Sequence, residues 1–257
     1  MLVKGYSGEQ VERHYVLGQP VDAVDMERAL QFIDTRIAGR AAAGAVLAVN
    51  PEKVITLNRS SFLSDFFSKA ALLIPDGIGV VFALRLRGSK VSRVPGADLM
   101  QRCCALAADK GYTVYLYGAK EDVSKRAADT LAVRYPGLRI VGRRNGYVKD
   151  DEQDSFVEEI NASGAQILFV ALGSPRQEEW MSRHMGRLHH VSIVQGVGGT
   201  LDTIAGSVKR APVFWQRMHL EWFYRLLKQP SRAPRQLKLF KFVFDVLMDE
   251  LRRRVSR

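Results

Sequence analysis

The 257-residue chain has only two cysteines, Cys103 and Cys104, and they are adjacent. This excludes a disulfide framework and a CxxC metal clip, and marks both as core thiols of a reducing compartment. No run of 18 apolar residues occurs, so no segment is expected to span a bilayer. Met1 to Tyr6 lack the apolar stretch of a secretory signal, which gives a cytoplasmic expectation. The GxxxxGK[ST] phosphate loop, the GxSxG nucleophile elbow and the HExxH zinc motif are all missing. So is Asp-x-Asp, a pair suited to hold a divalent ion against a diphosphate. His14, His184, His189, His190 and His219 show no ligand spacing with cysteines or carboxylates, so no metal site is expected. The acidic cluster Asp150, Asp151, Glu152 and Asp154 reads as a solvated helix N-terminus.

What is present is an ordinary globular composition, 47% hydrophobic and 25% charged, with length for one large domain or one domain and an appendage. The net charge is +11, and its placement is informative. Residues 207–257 carry 13 Lys and Arg against 4 Asp and Glu, a local +9, leaving +2 for residues 1–206. The basic tail admits nucleic acid or an anionic membrane surface as partner. Leu237, Phe240, Phe244, Leu247 and Leu251 follow three- and four-residue steps down one helical face, beside Lys238, Lys241, Arg252, Arg253 and Arg254. That pattern favours the membrane over nucleic acid, because apolar side chains enter the interface while basic ones meet headgroups. A terminal helix packed on the core is the plainer alternative.

Short β-branched runs alternate with helical periods, the mark of a parallel sheet with helices on both faces. Strands are expected at Ala45–Val49, Leu72–Ile74, Thr113–Tyr117, Leu138–Val141, Ile167–Leu172 and Val191–Gln195. Met26, Leu30, Ile33 and Ile37 mark a helix ahead of the first strand. Further helices are expected over Ala97–Lys110, Glu121–Tyr135, Asp151–Asn161 and Pro175–Met185. The fold class is therefore α/β: a Rossmann-like, doubly wound, mainly parallel sheet over residues 1–206, with a helical appendage over 207–257. The ligand of such a sheet lies outside the carboxyl ends of its strands.

The strand-end loops carry the candidate residues. Asp76 follows an apolar strand and precedes Gly-x-Gly. Shielded there from water, its carboxylate would become a stronger general base, although it has the right place to cap the helix beginning near Gly77. Arg93 stands near a Gly-led helix start, either as a diphosphate clamp or as a solvated surface residue. Ser174, Pro175 and Gln177 fit an N-cap, N1 and capping box, and Arg176 adds charge at that helix start. In the segment 195–202, Gly196, Gly198 and Gly199 let the backbone approach a ligand closely, without matching the GxGxxG dinucleotide spacing. Asp202 reads a nucleotide or is a first-turn helix acid.

Taken in order, these loops are similar to a known set. NPEKV at 50–54, PDGIGVV at 75–81, RVPGADL at 93–99, LGSPRQEEWM at 172–181, GVGGTLDTIAGSVKRAP at 196–212 and LEWFYRLLKQPSR at 220–232 together resemble the WecG/TagA/CpsF glycosyltransferases, glycosyltransferase family 26. The resemblance covers nearly the whole chain, and its last two strings are the most specific. It implies inverting transfer from a UDP-sugar donor to a polyprenyl-diphosphate-linked saccharide, peripherally at the inner membrane face, in surface or exported polysaccharide synthesis. It further implies that Asp76 is the catalytic base, with Asn50 and Arg93 beside it, that Gln177 and Asp202 lie at the substrate, and that the segment around Arg210, Arg217 and Arg225 folds over the site. One of these C-terminal arginines, or Arg93, would stabilise the departing diphosphate without a metal cofactor. The family commonly has Thr two residues before the motif Asn, and this chain has Ala48, so the substrate identity of other members does not transfer. Self-association stays open, as do a nucleotide- or nicotinamide-dependent enzyme of other chemistry and a nucleic-acid-binding protein.

Overall fold

The computed structural model describes residues 2–4, 10–209, 211–212, 214–215, 223–224 and 233–255. The chain opens on an antiparallel sheet of β1 (Leu2–Lys4), β2 (Gln10–Val16) and β3 (Gln19–Asp22). Next come α1 (Met26–Ala38), β4 (Gly44–Val49), α2 (Pro51–Leu57), α3 (Ser61–Ser68) and β5 (Leu72–Pro75). α4 (Ile78–Leu86), α5 (Gly96–Lys110) and β6 (Thr113–Gly118) follow, then α6 (Glu121–Arg134), β7 (Arg139–Arg144) and α7 (Gln153–Ser163). β8 (Ile167–Ala171), α8 (Arg176–His184), β9 (Ile193–Gly196) and α9 (Thr200–Ile204) lead toward a C-terminal helix over Ala233–Val255.

β4 to β9 form one six-stranded sheet in the order β5-β4-β9-β8-β6-β7, with every pair parallel. β6 and β8 are buried at every position, as a sheet covered on both faces requires. Alternate strand residues feed two apolar layers. Leu47, Tyr115, Tyr117, Leu168 and Val194 join Phe67, Leu84, Phe156 and Trp180 on one face. Val46, Leu116, Phe169 and Ile193 join Ile33, Leu99, Met100, Ala127 and Leu131 on the other. Cys103 and Cys104 are free and buried in that second layer, where burial pushes both thiols up, Cys104 to about 12.

The structure adds one element the sequence did not announce and corrects two expectations. Before the first parallel strand lies not a helix alone but the β1–β3 sheet, whose β2, QVERHYV, is too charged to read as a core strand. Its charge is answered in space: Arg13 and Asp22 pair at 2.7 and 3.0 Å. The edge strand runs over Arg139–Arg144 rather than Leu138–Val141, because the β6 ladder carries pairing past the apolar residues into Arg143 and Arg144. Charged residues suit an edge, where they hinder pairing with another chain. The segment after β4 is also a helix rather than an open loop. Asn50 caps it by accepting the Lys53 N–H at 2.8 Å, and Pro51 occupies the first turn.

The C-terminal helix packs onto α2 and α4. Phe242 and Val246 are buried within the layer that holds Phe67 and Leu84, and the Phe242 ring lies against Gly79. Arg87, just past α4, anchors it through Asp249 at 2.7 Å. Phe244, Leu247 and Leu251, on the face singled out by the sequence, point to solvent, Phe244 at 62% exposure. The side chains of Leu237 and Phe240 lie outside the described residues.

Candidate active site

The loops after β4, β5, β8 and β9 converge at the carboxyl edge of the sheet around a cavity of about 790 Å³. Asn50, Asp76, Gln177 and Asp202 all line it. Gly196, Gly198 and Gly199 form its glycine-rich wall. The structure thus brings together seven of the site residues expected from the sequence. Ala48 lines the same space, as do Lys209 and Tyr224 from the chain beyond residue 206. Arg210, Arg217 and Arg225 lie outside the described residues.

Asp76 is held from three sides. Its N–H donates to the Val49 carbonyl at 3.0 Å, which fixes the β5 exit beside the β4 exit. Gly77 packs so tightly on Pro51 that a Cβ there would come within 2.4 Å of Pro51 Cδ, so a larger residue would push this loop off α2. Arg93 donates through Nε to the Asp76 carbonyl at 2.7 Å and through a terminal N–H to Oδ1 at 3.4 Å. Arg93 therefore orients the carboxylate. Asp76 does not cap α4, whose N-cap is Gly77 without a side-chain bond.

α8 is set by its apolar side. Trp180 packs on Tyr117 at 5.0 Å between ring centroids, and its indole N–H donates to Gln153 at 2.8 Å. This turns Gln177 and Glu178 toward the cavity. Gln177 Oε1 accepts the Gly198 N–H at 3.0 Å, tying α8 to the glycine-rich turn. A Cβ on Gly196 would lie 2.7 Å from Gln177 Nε2, so a larger residue would displace the Gln177 amide from this position. The capping box expected of Ser174 and Gln177 does not form. The Ser174 hydroxyl accepts from Lys53 at 2.6 Å, and the Gln177 amide is engaged with Gly198 and Glu178. Arg176 turns away to the Gly146 carbonyl at 3.2 Å, so it adds no charge to the cavity there. Asp202 sits in the first turn of α9, and its carbonyl accepts the Val208 N–H at 3.1 Å, folding the following segment back.

The sequence model of the glycosyl transferase WecG/TagA/CpsF family matches residues 14–256. The chain belongs to that family. It is therefore a glycosyltransferase of cell-surface polysaccharide biosynthesis. A WecG/TagA/CpsF enzyme needs space for a sugar donor and an acceptor, and the carboxyl-edge cavity supplies it in the place a doubly wound sheet reserves for ligands. No helix among the described residues is long and apolar enough to cross a membrane.

Sequence reading missed Lys53 and Glu178, which pair at 2.9 Å on the cavity wall although 125 residues separate them. A signal was available in Lys53. It is a cation in the first turn of a helix, where the backbone dipole disfavours positive charge.

Proposed function

We propose that this enzyme transfers a sugar, with inversion, from a UDP-sugar to a polyprenyl-diphosphate-linked saccharide at the cytoplasmic membrane face, with Asp76 as general base. The observation that carries the reading is the single cavity holding both the Asp76 carboxylate and the Gly196–Gly199 turn with Asp202. A base and a close-approach backbone on one cavity are what the reaction requires. The acceptor hydroxyl oxygen bonds to the anomeric carbon while the carbon–oxygen bond to the β-phosphate breaks. The electron pair leaves with UDP, and the hydroxyl proton passes to Asp76. Attack from the face opposite UDP inverts the anomeric centre.

Arg93 and Asn50 support this chemistry by position, Arg93 through the Asp76 contacts and Asn50 as the α2 cap on the cavity wall. Gln177 and the glycine turn would take the donor, with Asp202 toward its nucleoside. Arg210, Arg217 and Arg225 are proposed to bring charge to the leaving diphosphate from the segment after Lys209, which itself lines the cavity. The exposed apolar face of the C-terminal helix, with its basic neighbours, is proposed to rest on the anionic membrane that carries the acceptor. Ala48 takes the place of a hydroxyl-bearing residue on the cavity wall, which widens the space at the Asp76 end.

The test is a panel of UDP-sugars incubated with the enzyme and a lipid-diphosphate saccharide, with the product anomer assigned by NMR. Formation of a product of inverted anomeric configuration from one UDP-sugar is expected. Retention of configuration, or transfer only from a donor that is not a nucleoside diphosphate sugar, would overturn the reading.

A further inference from the structure

Lys53 is built into the cavity wall with unusual care. Its ammonium donates to Ser174 Oγ at 2.6 Å and to Glu178 Oε1 at 2.9 Å, and it stands 5.3 Å from the centroid of the Phe67 ring. The side chain is 14% exposed and lines the cavity. An ammonium has three N–H donors, and two are used. Glu178 is 1% exposed. One of its oxygens takes Lys53 and the Gln177 amide at 3.3 Å, and the other is buried without a hydrogen-bond partner. Such a carboxylate is costly unless a cation stays beside it. Glu178 and Ser174 thus hold Lys53 in one place on the cavity wall, with one ammonium N–H left for a ligand.

The pair is also wired to the glycine turn. Glu178 Oε1 accepts from Gln177, and Gln177 accepts the Gly198 N–H. A ligand whose backbone passes Gly196 to Gly198 therefore passes a fixed positive charge. Simple neutralisation of Glu178 would not need the ammonium on the cavity wall, nor at a helix start where the dipole opposes it. A buried ion pair is moreover often no more stabilising than a well-packed apolar pair of the same size.

The geometry points to Lys53 as the resident cation of the donor subsite, giving its third N–H to a phosphoryl oxygen of the nucleoside diphosphate, with Glu178 and Ser174 as its positioning residues. This rests on the nucleotide-donor reading above. It supplies charge at the leaving group from the α/β domain itself, in addition to any arginine of the tail.

The test titrates UDP and uridine calorimetrically into the full chain, into two charge-removing variants and into Lys53→Arg. Lys53→Met removes the cation but strands a buried carboxylate, so its folding is checked by thermal melting. Lys53→Met with Glu178→Gln removes both charges and keeps the shape, which separates anion binding from folding. UDP affinity should fall on the order of 10-fold or more in both variants, as expected for losing a charge-assisted hydrogen bond, while uridine affinity stays unchanged. Lys53→Arg should recover part of the loss. Equal UDP affinity in the wild type and the double variant overturns the assignment and leaves the glycosyltransferase reading intact. The assignment also fails if UDP binding is unchanged and only the KM for lipid-linked acceptor rises, which would put the cation on the acceptor's diphosphate. If the wild type does not bind UDP, the UDP-sugar reading falls and the Lys53 assignment falls with it.

Discussion

Arg13 in the N-terminal sheet and Lys53 in the cavity wall are both largely withdrawn from water, and their partners are in different states. Arg13 makes a two-pronged pair with Asp22 at 2.7 and 3.0 Å. It also donates to the Ser68 and Ala70 carbonyls at 3.0 and 2.9 Å, and Asp22 accepts the Leu73 N–H at 2.7 Å. This cluster binds β2 and β3 to the β5 edge of the main sheet, and every named group has an answer. The Lys53–Glu178 pair keeps one ammonium N–H and one carboxylate oxygen unanswered. A satisfied buried pair secures a fold, whereas an incompletely satisfied pair beside a cavity has capacity left for a ligand.

The strongest way to break this contrast is Arg13→Met. Stranding the Asp22 carboxylate should cost about 3–5 kcal/mol of unfolding free energy, read by denaturant titration. Its pH dependence has a definite sign. Burial already pushes the Asp22 carboxyl above its ordinary value of 3.8, with Arg13 and the Leu73 N–H pulling it back. Without Arg13 the folded-state value moves further up. A carboxyl raised in this way leaves the fold most stable below the unfolded value and less stable as pH climbs through the folded one. The variant's deficit should therefore widen as pH climbs past the wild-type folded value, by at most about 1.4 kcal/mol per pH unit. Adding Asp22→Asn should restore much of the stability at pH 8 and abolish the slope. A deficit independent of pH would show that Asp22 is not the stranded group.

Next in size, and on the other side of the contrast, is Asp76→Asn. The isosteric amide keeps the Arg93 and Val49 contacts available, so unfolding free energy and UDP binding should change little. Turnover should fall on the order of 100-fold or more, because the proton acceptor is gone. Near-normal turnover would remove Asp76 from the chemistry and leave it as an orienting partner of Arg93.

The same contrast explains what was legible before the fold was known. The parallel strands were, because β4, β6 and β8 declare themselves through unbroken apolar runs. Asp76 was, because an acid directly after such a run lies at the ligand edge. β2 and β3 were not, since their charges are neutralised only when residues nine apart in sequence meet. Lys53 and Glu178 were hidden by their separation of 125 residues. The capping box at Ser174 was a sound local inference, but Lys53 and Gly198 compete for the same two side chains. Local rules read local bonds, and this site is assembled from four separate strand ends.

A smaller effect is expected at the C-terminal helix, whose two faces repeat the contrast in apolar form. Phe242 and Val246 are buried against the domain, while Phe244 and Leu251 are 62% and 57% exposed. Phe244→Ser with Leu251→Ser should leave the melting temperature within a degree or two and weaken sedimentation with anionic vesicles on the order of 10-fold. The complementary change, Phe242→Ala, should lower stability by about 3 kcal/mol or more through the cavity it opens against Gly79. If the double serine variant bound vesicles like the wild type, the exposed face would not be the membrane contact.

The smallest expected effect is that of chelation. Of the three carboxylates that line the cavity, Asp76 lies with Arg93 and Glu178 with Lys53, while Asp202 stands in the first turn of α9, apart from that pair of ion pairs. Among the described residues no three His, Cys, Asp or Glu side chains stand close enough to hold an ion together. A divalent cation entering near Asp76 or Glu178 would have to compete with a resident arginine or lysine, and like charges this close repel. Charge at the leaving diphosphate is then expected from Lys53 and the basic tail, with the glycine-turn amides adding dipoles. Transferase activity should persist within about twofold after EDTA treatment, measured on enzyme dialysed free of metals. Complete loss with EDTA, restored by Mg²⁺ or Mn²⁺, would place an ion where Lys53 is proposed to act. The UDP titration of the Lys53→Met/Glu178→Gln variant, repeated with and without Mg²⁺, would then decide between the two cations.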